Sequence, residues 1–316
     1  MTRTVLKIEK VKKHFGDNKV IDGVSLEIEK GEVFGIIGSS GSGKTTFLKT
    51  MIGFLHYDAG DIFFNTSDSD IPSFTKLSDV NKIKKLFGFA AQHPSFYEKL
   101  TVEENLDYFG ALYDLGKEAR ITNISTLLEL VDLSHASKIL AKNLSGGMQR
   151  RLDIACSLIH NPDILILDEP TSDLDLVLSK QIWDLIRKIN KKGTTIIVAS
   201  HDLSEVETVC SRIGILINGK LQRVGTLDSL KNMVTKGQEI HLETYPGDYD
   251  NITKNLNDPL ILRIENTGNS LIIHTQKPDK ILSKILQQVN KNNESLLDLK
   301  ISKLSLKDVF TKLTKK

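Results

Sequence analysis

The segment Gly38-Ser39-Ser40-Gly41-Ser42-Gly43-Lys44-Thr45 constrains this chain more than any other stretch of it. A short apolar run, Val33 to Ile37 (VFGII), leads into it, and a helical pattern from Thr46 to Gly53 leads away. The spacing G-x-x-x-x-G-K-[ST] between a strand and a helix is that of a loop wrapped around phosphate. Its glycines let successive backbone N–H groups turn toward one centre, and the helix N-terminus adds partial positive charge. Lys44 can reach the outer phosphates, and the Thr45 hydroxyl suits Mg²⁺. The strand before and the helix after separate this reading from that of a plain glycine-rich turn.

At 316 residues the chain is long enough for two domains. Its 42 Lys and Arg nearly balance its 40 Asp and Glu, for a net charge of +2, so no nucleic-acid partner held mainly by phosphate contacts is expected. Cys156 and Cys210 cannot build a disulfide framework and read as reduced residues of a cytosolic protein. The longest apolar stretches, such as Ile164 to Leu167 and Ile196 to Ala199, fall far short of the roughly 20 residues of a membrane span. The N-terminal residues lack the apolar core of a signal peptide. If the protein works at a membrane, another chain must cross it.

Along the chain, residues 4–11 and 24–29 alternate like half-buried strands, and IFF (62–64) and LFGFAA (86–91) are further strand candidates around a polar stretch rich in Ser and Asp. Apolar residues recur every three or four positions from Thr101 to Leu133, which predicts helix throughout. Ser145 opens another helix, ILIL (164–167) is a buried strand, 176–189 is helical, and TTIIVA (194–199) is again a strand. Residues 213–217 and 220–224 read as a hairpin around Asn218-Gly219. Strands alternating with helices predict an α/β fold with a mainly parallel sheet, whose ligands bind beyond the carboxyl ends of the strands. The style changes after about residue 235, where the order β-α-β-β-α-β resembles a ferredoxin-like unit. The expected division is 1–230, with a helical subdomain at about 95–162, and 236–316.

Two further segments carry chemistry. Asp168 and Glu169 follow the strand ILIL, so one carboxylate can support a magnesium ion and the next can polarise an attacking water. In Leu144-Ser145-Gly146-Gly147-Met148-Gln149, Ser145 can cap a helix. The same segment also offers a hydroxyl, bare backbone N–H groups and a helix dipole to a second anion. One nucleotide does not need two such sites in one chain. Two chains arranged head to tail would place this segment over the γ-phosphate bound by the other.

Taken together, the ordered motifs resemble the nucleotide-binding subunit of an ABC transporter over residues 4–228. Gly38 to Thr45 corresponds to its Walker A loop, Gln92 in AAQHP to the Q-loop, LSGGMQ to the signature, ILILDEP (164–170) to Walker B, SDLD (172–175) to the D-loop and His201 in VASHD to the switch histidine. The resemblance implies a P-loop NTPase core, ATP and Mg²⁺ as cofactors, and ATP held by Phe15 (stacked on adenine) and by Gly38, Ser39, Ser40, Gly41, Ser42, Gly43, Lys44, Thr45 and Thr46. It implies Mg²⁺ held by Thr45, Gln92 and Asp168, Glu169 as general base, and Lys44, Gln92 and His201 as the other catalytic groups. Ser145, Gly146, Gly147 and Gln149 would serve the nucleotide of a second copy, with Asp175 joining the two sites. Asp173 departs from the pattern, standing where a small residue is common.

Residues 93–115 and Leu306-Lys-Asp-Val-Phe310 resemble the ABC-2 group of daunorubicin-resistance and sodium-efflux ATPases. That implies a homodimer at the cytoplasmic face of the cell membrane, powering export through a separate permease. The alternative is an ABC ATPase that is soluble or transmits force without a transported substrate. Soluble members acting in translation or repair usually carry two nucleotide domains, coiled coils or zinc-finger insertions, and none is seen here.

Overall fold

The computed structural model describes residues 3–65, 74–77, 83–234, 238–303 and 306–314. The chain divides into two compact units, Met1–Thr226 and Leu227–Lys316. The polar stretch after Asn65 lies largely outside the described residues.

The first unit opens with strands β1 (Thr4–Phe15) and β2 (Asn18–Glu29), followed by β3 (Val33–Ile37) and helix α1 (Lys44–Met51). Next come β4 (Ala59–Asn65), β5 (Phe74–Lys76), β6 (Phe87–Ala90), α2 (Val102–Leu112), α3 (Lys117–Leu130) and α4 (Gly146–Leu158). The unit closes with β7 (Ile164–Asp168), α5 (Leu176–Lys191), β8 (Thr195–Ser200), α6 (Leu203–Val209), β9 (Arg212–Ile217) and β10 (Lys220–Thr226).

Two sheets share this unit. Five parallel strands, β9-β3-β8-β7-β6, carry β10 antiparallel at one edge. Every residue of β3, β7 and β8 is buried, as expected of strands covered on both faces. The second sheet, β2-β1-β4-β5, is antiparallel throughout. Its presence refines the expectation of one mainly parallel sheet. Residues such as Leu6, Ile8, Leu26 and Ile28 alternate with polar neighbours, so these strands bury one face only. The core between the sheets includes Phe34, Ile36, Phe47, Leu48, Ile62 and Phe64.

The helix expected across 101–133 is two helices. Thr101 caps α2 in a capping box with Glu104. The chain then breaks at Asp114, which takes a left-handed φ of 60°, and Gly116 stands at the start of α3. The apolar period continues across the break, so periodicity alone does not reveal it.

The second unit contains α7 (Leu227–Val234), β11 (Gln238–Tyr245), α8 (Tyr249–Lys254), β12 (Ile261–Asn266), β13 (Leu271–Thr275), α9 (Pro278–Lys291), β14 (Ser295–Lys303) and α10 (Leu306–Thr314). Its antiparallel sheet has the order β12-β13-β11-β14, the ferredoxin-like arrangement anticipated from the element order. Ile240, Leu242, Leu271 and Ile273 of the sheet pack with Ile252, Ile281, Ile285 and Val289 of the helices.

Candidate functional site

Strands β3, β7 and β8 end side by side. Asp168 is in register with Ala199, and Ile37 with Ser200. The residues following each strand therefore meet at one edge of the sheet, around a cleft of about 380 Å³. Its wall includes Ser40, Gly41, Gly43, Lys44, Thr45 and Thr46 from the loop and α1, with Gln92, Glu169 and His201 opposite and Val20 at the side. Gly43 is required by geometry. Its φ is 101°, and a Cβ there would lie 2.8 Å from the Val20 carbonyl oxygen. At Gly38 a Cβ would lie 2.6 Å from the Leu216 carbonyl oxygen. Ser42 N–H donates to the Ser39 carbonyl, closing the turn.

Lys44 Nζ donates to the Gly38 carbonyl at 2.9 Å and the Ser39 carbonyl at 3.4 Å. It also pairs with Glu169 Oε1 at 3.1 Å. The other carboxylate oxygen of Glu169 lies 2.7 Å from His201 Nδ1 and accepts from His201 N–H at 3.2 Å. Glu169 is held in the left-handed region, with φ 46°, where a non-glycine residue is strained, and its N–H donates to the Ala199 carbonyl. Lys44 and Glu169 are buried, whereas the His201 side chain is 60% exposed.

Asp168 is buried, and the Thr45 hydroxyl lies near its carboxylate without a well-formed hydrogen bond to either oxygen. Burial pushes its carboxyl above the ordinary range. The nearby Thr45 hydroxyl and the Lys44 and Lys49 charges pull the other way, while Glu169 adds to the rise. A buried carboxylate without a partner is costly, and a cation removes that cost.

The second glycine-bearing segment is built differently. Ser145 caps α4 and accepts from Met148 N–H at 3.4 Å. Ser145 and Gly146 are exposed. Gly147 is buried, and a Cβ there would lie 2.9 Å from Leu178 Cδ2 on α5. Gln149 turns back to donate to the Ala141 carbonyl at 3.3 Å. Asp175 caps α5 by accepting from Val177 and Leu178 N–H. None of these residues, nor half-exposed Phe15, forms part of the cleft wall. Phe15 instead carries Lys13 Nζ 5.2 Å above its ring.

Residues 21–172 match the family model described as ABC transporter. The daunorubicin resistance ATP-binding protein DrrA3 of Streptomyces coeruleorubidus is 34% identical over 73% of this chain and 71% of its own length. This chain belongs to the ABC transporter ATP-binding family. The linearmycin resistance ATP-binding protein LnrL of Bacillus subtilis is 29% identical over 98% of both chains, so its match extends through the second unit. Among solved structures, the dimeric post-hydrolysis ATP-binding cassette MJ0796 bound to ADP and Pi matches with a TM-score of 0.61 at 28% identity, covering 70% of this chain and 98% of that one. The protein is thus an ATP-binding, ATP-hydrolysing subunit of an ABC transporter. Such subunits work with membrane subunits and dimerise. Among the described residues of this cassette, no helix is long and apolar enough to cross a membrane.

Sequence reasoning missed several contributors. Val20 enters the cleft from a strand remote in sequence, and Thr171 donates to Glu205 on α6 at 2.8 Å, tying the segment after Glu169 to the one after His201. The buried pair Arg150 and Asp153 on α4 was also missed, because two charges three residues apart on a helix read as a solvated face.

Proposed function

We propose that two copies of this cassette close head to tail around two ATP molecules and drive export through a separate permease at the cytoplasmic face of the membrane. In each cleft the loop N–H groups and Lys44 bind the outer phosphates. Mg²⁺ fits the chemistry of these residues, and the oxygens of buried Asp168, the Thr45 hydroxyl and Gln92 would hold it. When bound, it neutralises charge on the transferred phosphoryl group. Glu169 accepts a proton from the attacking water. His201, in contact with Glu169, orients that carboxylate and reaches toward the γ-phosphate. Lys44 must exchange Glu169 for phosphate when nucleotide arrives, which frees the base at the moment it is needed.

Ser145, Gly146, Gly147 and Gln149 lie outside their own cleft, and they serve the nucleotide bound by the other copy, with Asp175 between the two sites. Phe15 stacks on the adenine. The observation that carries the catalytic reading is the Lys44–Glu169–His201 cluster at the mouth of the phosphate loop. The resistance function named for two relatives supports an outward direction. Glu169→Gln tests the scheme. This variant is expected to bind ATP, lose hydrolysis and accumulate as a dimer by light scattering with saturating MgATP. A variant that stays monomeric, or that still turns over at the original rate, contradicts the scheme.

A further inference from the structure

Helix α4 carries a buried ion pair that joins two segments of the far wall of the catalytic cleft. Arg150 Nη1 donates to Asp153 Oδ2 at 3.1 Å, with Arg150 buried and Asp153 fully so. The same guanidinium donates to three main-chain carbonyls: Ala91 at 2.6 Å, Asp168 at 3.0 Å and Pro170 at 3.0 Å. Asp153 Oδ1 accepts from both the N–H and the hydroxyl of Ser95, at 2.9 Å and 2.8 Å. Ala91 and Ser95 bracket Gln92, while Asp168 and Pro170 bracket Glu169. One ion pair thus holds the backbone around both residues.

A structural ion pair does not need this arrangement. Replacing a buried pair with apolar residues is often neutral or stabilising, so burial alone is a weak reason for these charges to be present. The planar fork of arginine can address several carbonyls at fixed angles, which the point charge of lysine cannot. Every arm of this fork ends on backbone next to a residue of the cleft or on the aspartate that extends the reach to Ser95.

We propose that Arg150 and Asp153 are positioning residues that hold the loop carrying Gln92 against the strand end carrying Asp168 and Glu169. They act through Gln92, so the proposal rests on the reading of Gln92 as a catalytic group. Because the pair sits on the helix that begins at Ser145, the same clamp ties the exposed end of α4 to the cleft of its own chain.

The test is steady-state hydrolysis and ATP affinity of the full chain carrying Arg150→Lys, Ser95→Ala or Gln92→Ala, and of each of the first two combined with Gln92→Ala. Arg150→Lys is expected to lower kcat by about tenfold, the scale of a lost charge-assisted hydrogen bond, while changing ATP affinity by less than about threefold. Ser95→Ala, at an exposed position, is expected to lower kcat by about threefold, and Ser95→Thr to restore it. In the Gln92→Ala background each loss should shrink to less than about twofold, as for residues acting through a common group. Losses that multiply in the double variants, or ATP affinity that falls in step with kcat, would overturn the proposal while leaving the role of Gln92 intact. Unimpaired kcat in Gln92→Ala alone would overturn that role and the proposal with it. Should Arg150→Lys fail to fold, the Ser95 series decides by the same criteria.

Discussion

The two glycine-bearing helix starts of this cassette, Gly38–Thr45 before α1 and Leu144–Gln149 at α4, look alike in composition and differ in what faces them. The first opens into a cleft whose far wall carries Glu169, His201 and Gln92, and its lysine is already paired across that cleft. The second presents Ser145 and Gly146 to the surface, with its other polar group, Gln149, turned back onto its own chain. Backbone N–H groups at a helix start can receive an anion in either place. Among the described residues, only the first faces side chains of the types that acid–base and metal-binding chemistry in phosphoryl transfer requires. The second start is therefore read as half of a site whose other half belongs to another copy.

The largest expected effect falls on the complete half. Glu169→Gln should reduce hydrolysis by about 10²–10⁴-fold while leaving ATP binding intact, the range for removal of a positioned base. Single-turnover and equilibrium binding measurements separate the two. Equal loss of binding and turnover would assign Glu169 to nucleotide affinity instead.

A smaller contrast comes from alanine at one glycine of each start. Gly43→Ala forces a Cβ against the Val20 carbonyl at a φ of 101°, and should destabilise the fold by about 2 kcal/mol or more in denaturant titrations. At Gly146 the nearest atom would be Leu174 Cδ2 at 3.8 Å, so Gly146→Ala should be neutral or stabilise by up to about 1 kcal/mol. It should nevertheless slow hydrolysis by crowding the partner's nucleotide. Full turnover in Gly146→Ala would weaken the distinction between the two starts.

The smallest effect concerns the far end of the helix that Ser145 begins. His160 stacks on Tyr113 at 3.6 Å and contacts the Phe87 carbonyl. Burial lowers its ring from 6.5 to about 4, the Phe87 carbonyl opposing and the Lys85 charge adding to the effect. A base with a depressed folded-state pKa contributes its stability fully above the unfolded value and loses it as pH falls through the folded one. Between pH 6.5 and 4 the unmodified chain should lose on the order of 2 kcal/mol more stability than His160→Gln, measured as the pH dependence of unfolding. Parallel pH profiles would mean that the ring is already solvated.

Much of the first start was legible in the sequence because chemistry there dictates residue type. Gly43 is fixed by its backbone angle and by a carbonyl that leaves no room for a Cβ. The fully buried strands β3, β7 and β8 announce themselves as short apolar runs. The ferredoxin-like unit was also legible, since each strand is bounded by turn residues such as Thr267-Gly268. Other features depend on distant contacts. The break at Asp114 lies inside a continuous apolar period, and the separate antiparallel sheet joins β1 to β4 across about 50 residues. The Arg150 fork gathers three carbonyls from two segments, at Ala91 and at Asp168 and Pro170, and neither segment is local to its helix.

Complementation between two damaged chains tests the half-site account most directly. Lys44→Ala removes the phosphate-binding lysine from the first start, and Ser145→Arg blocks the second, so a homodimer of either should hydrolyse almost no ATP. Mixed in equal amounts, half of the dimers pair one of each and regain one intact site of two, so turnover should recover to about a quarter of the unmodified rate. A mixture as inactive as its two components, or a Ser145→Arg chain that is fully active alone, would contradict the claim that each site is shared between copies.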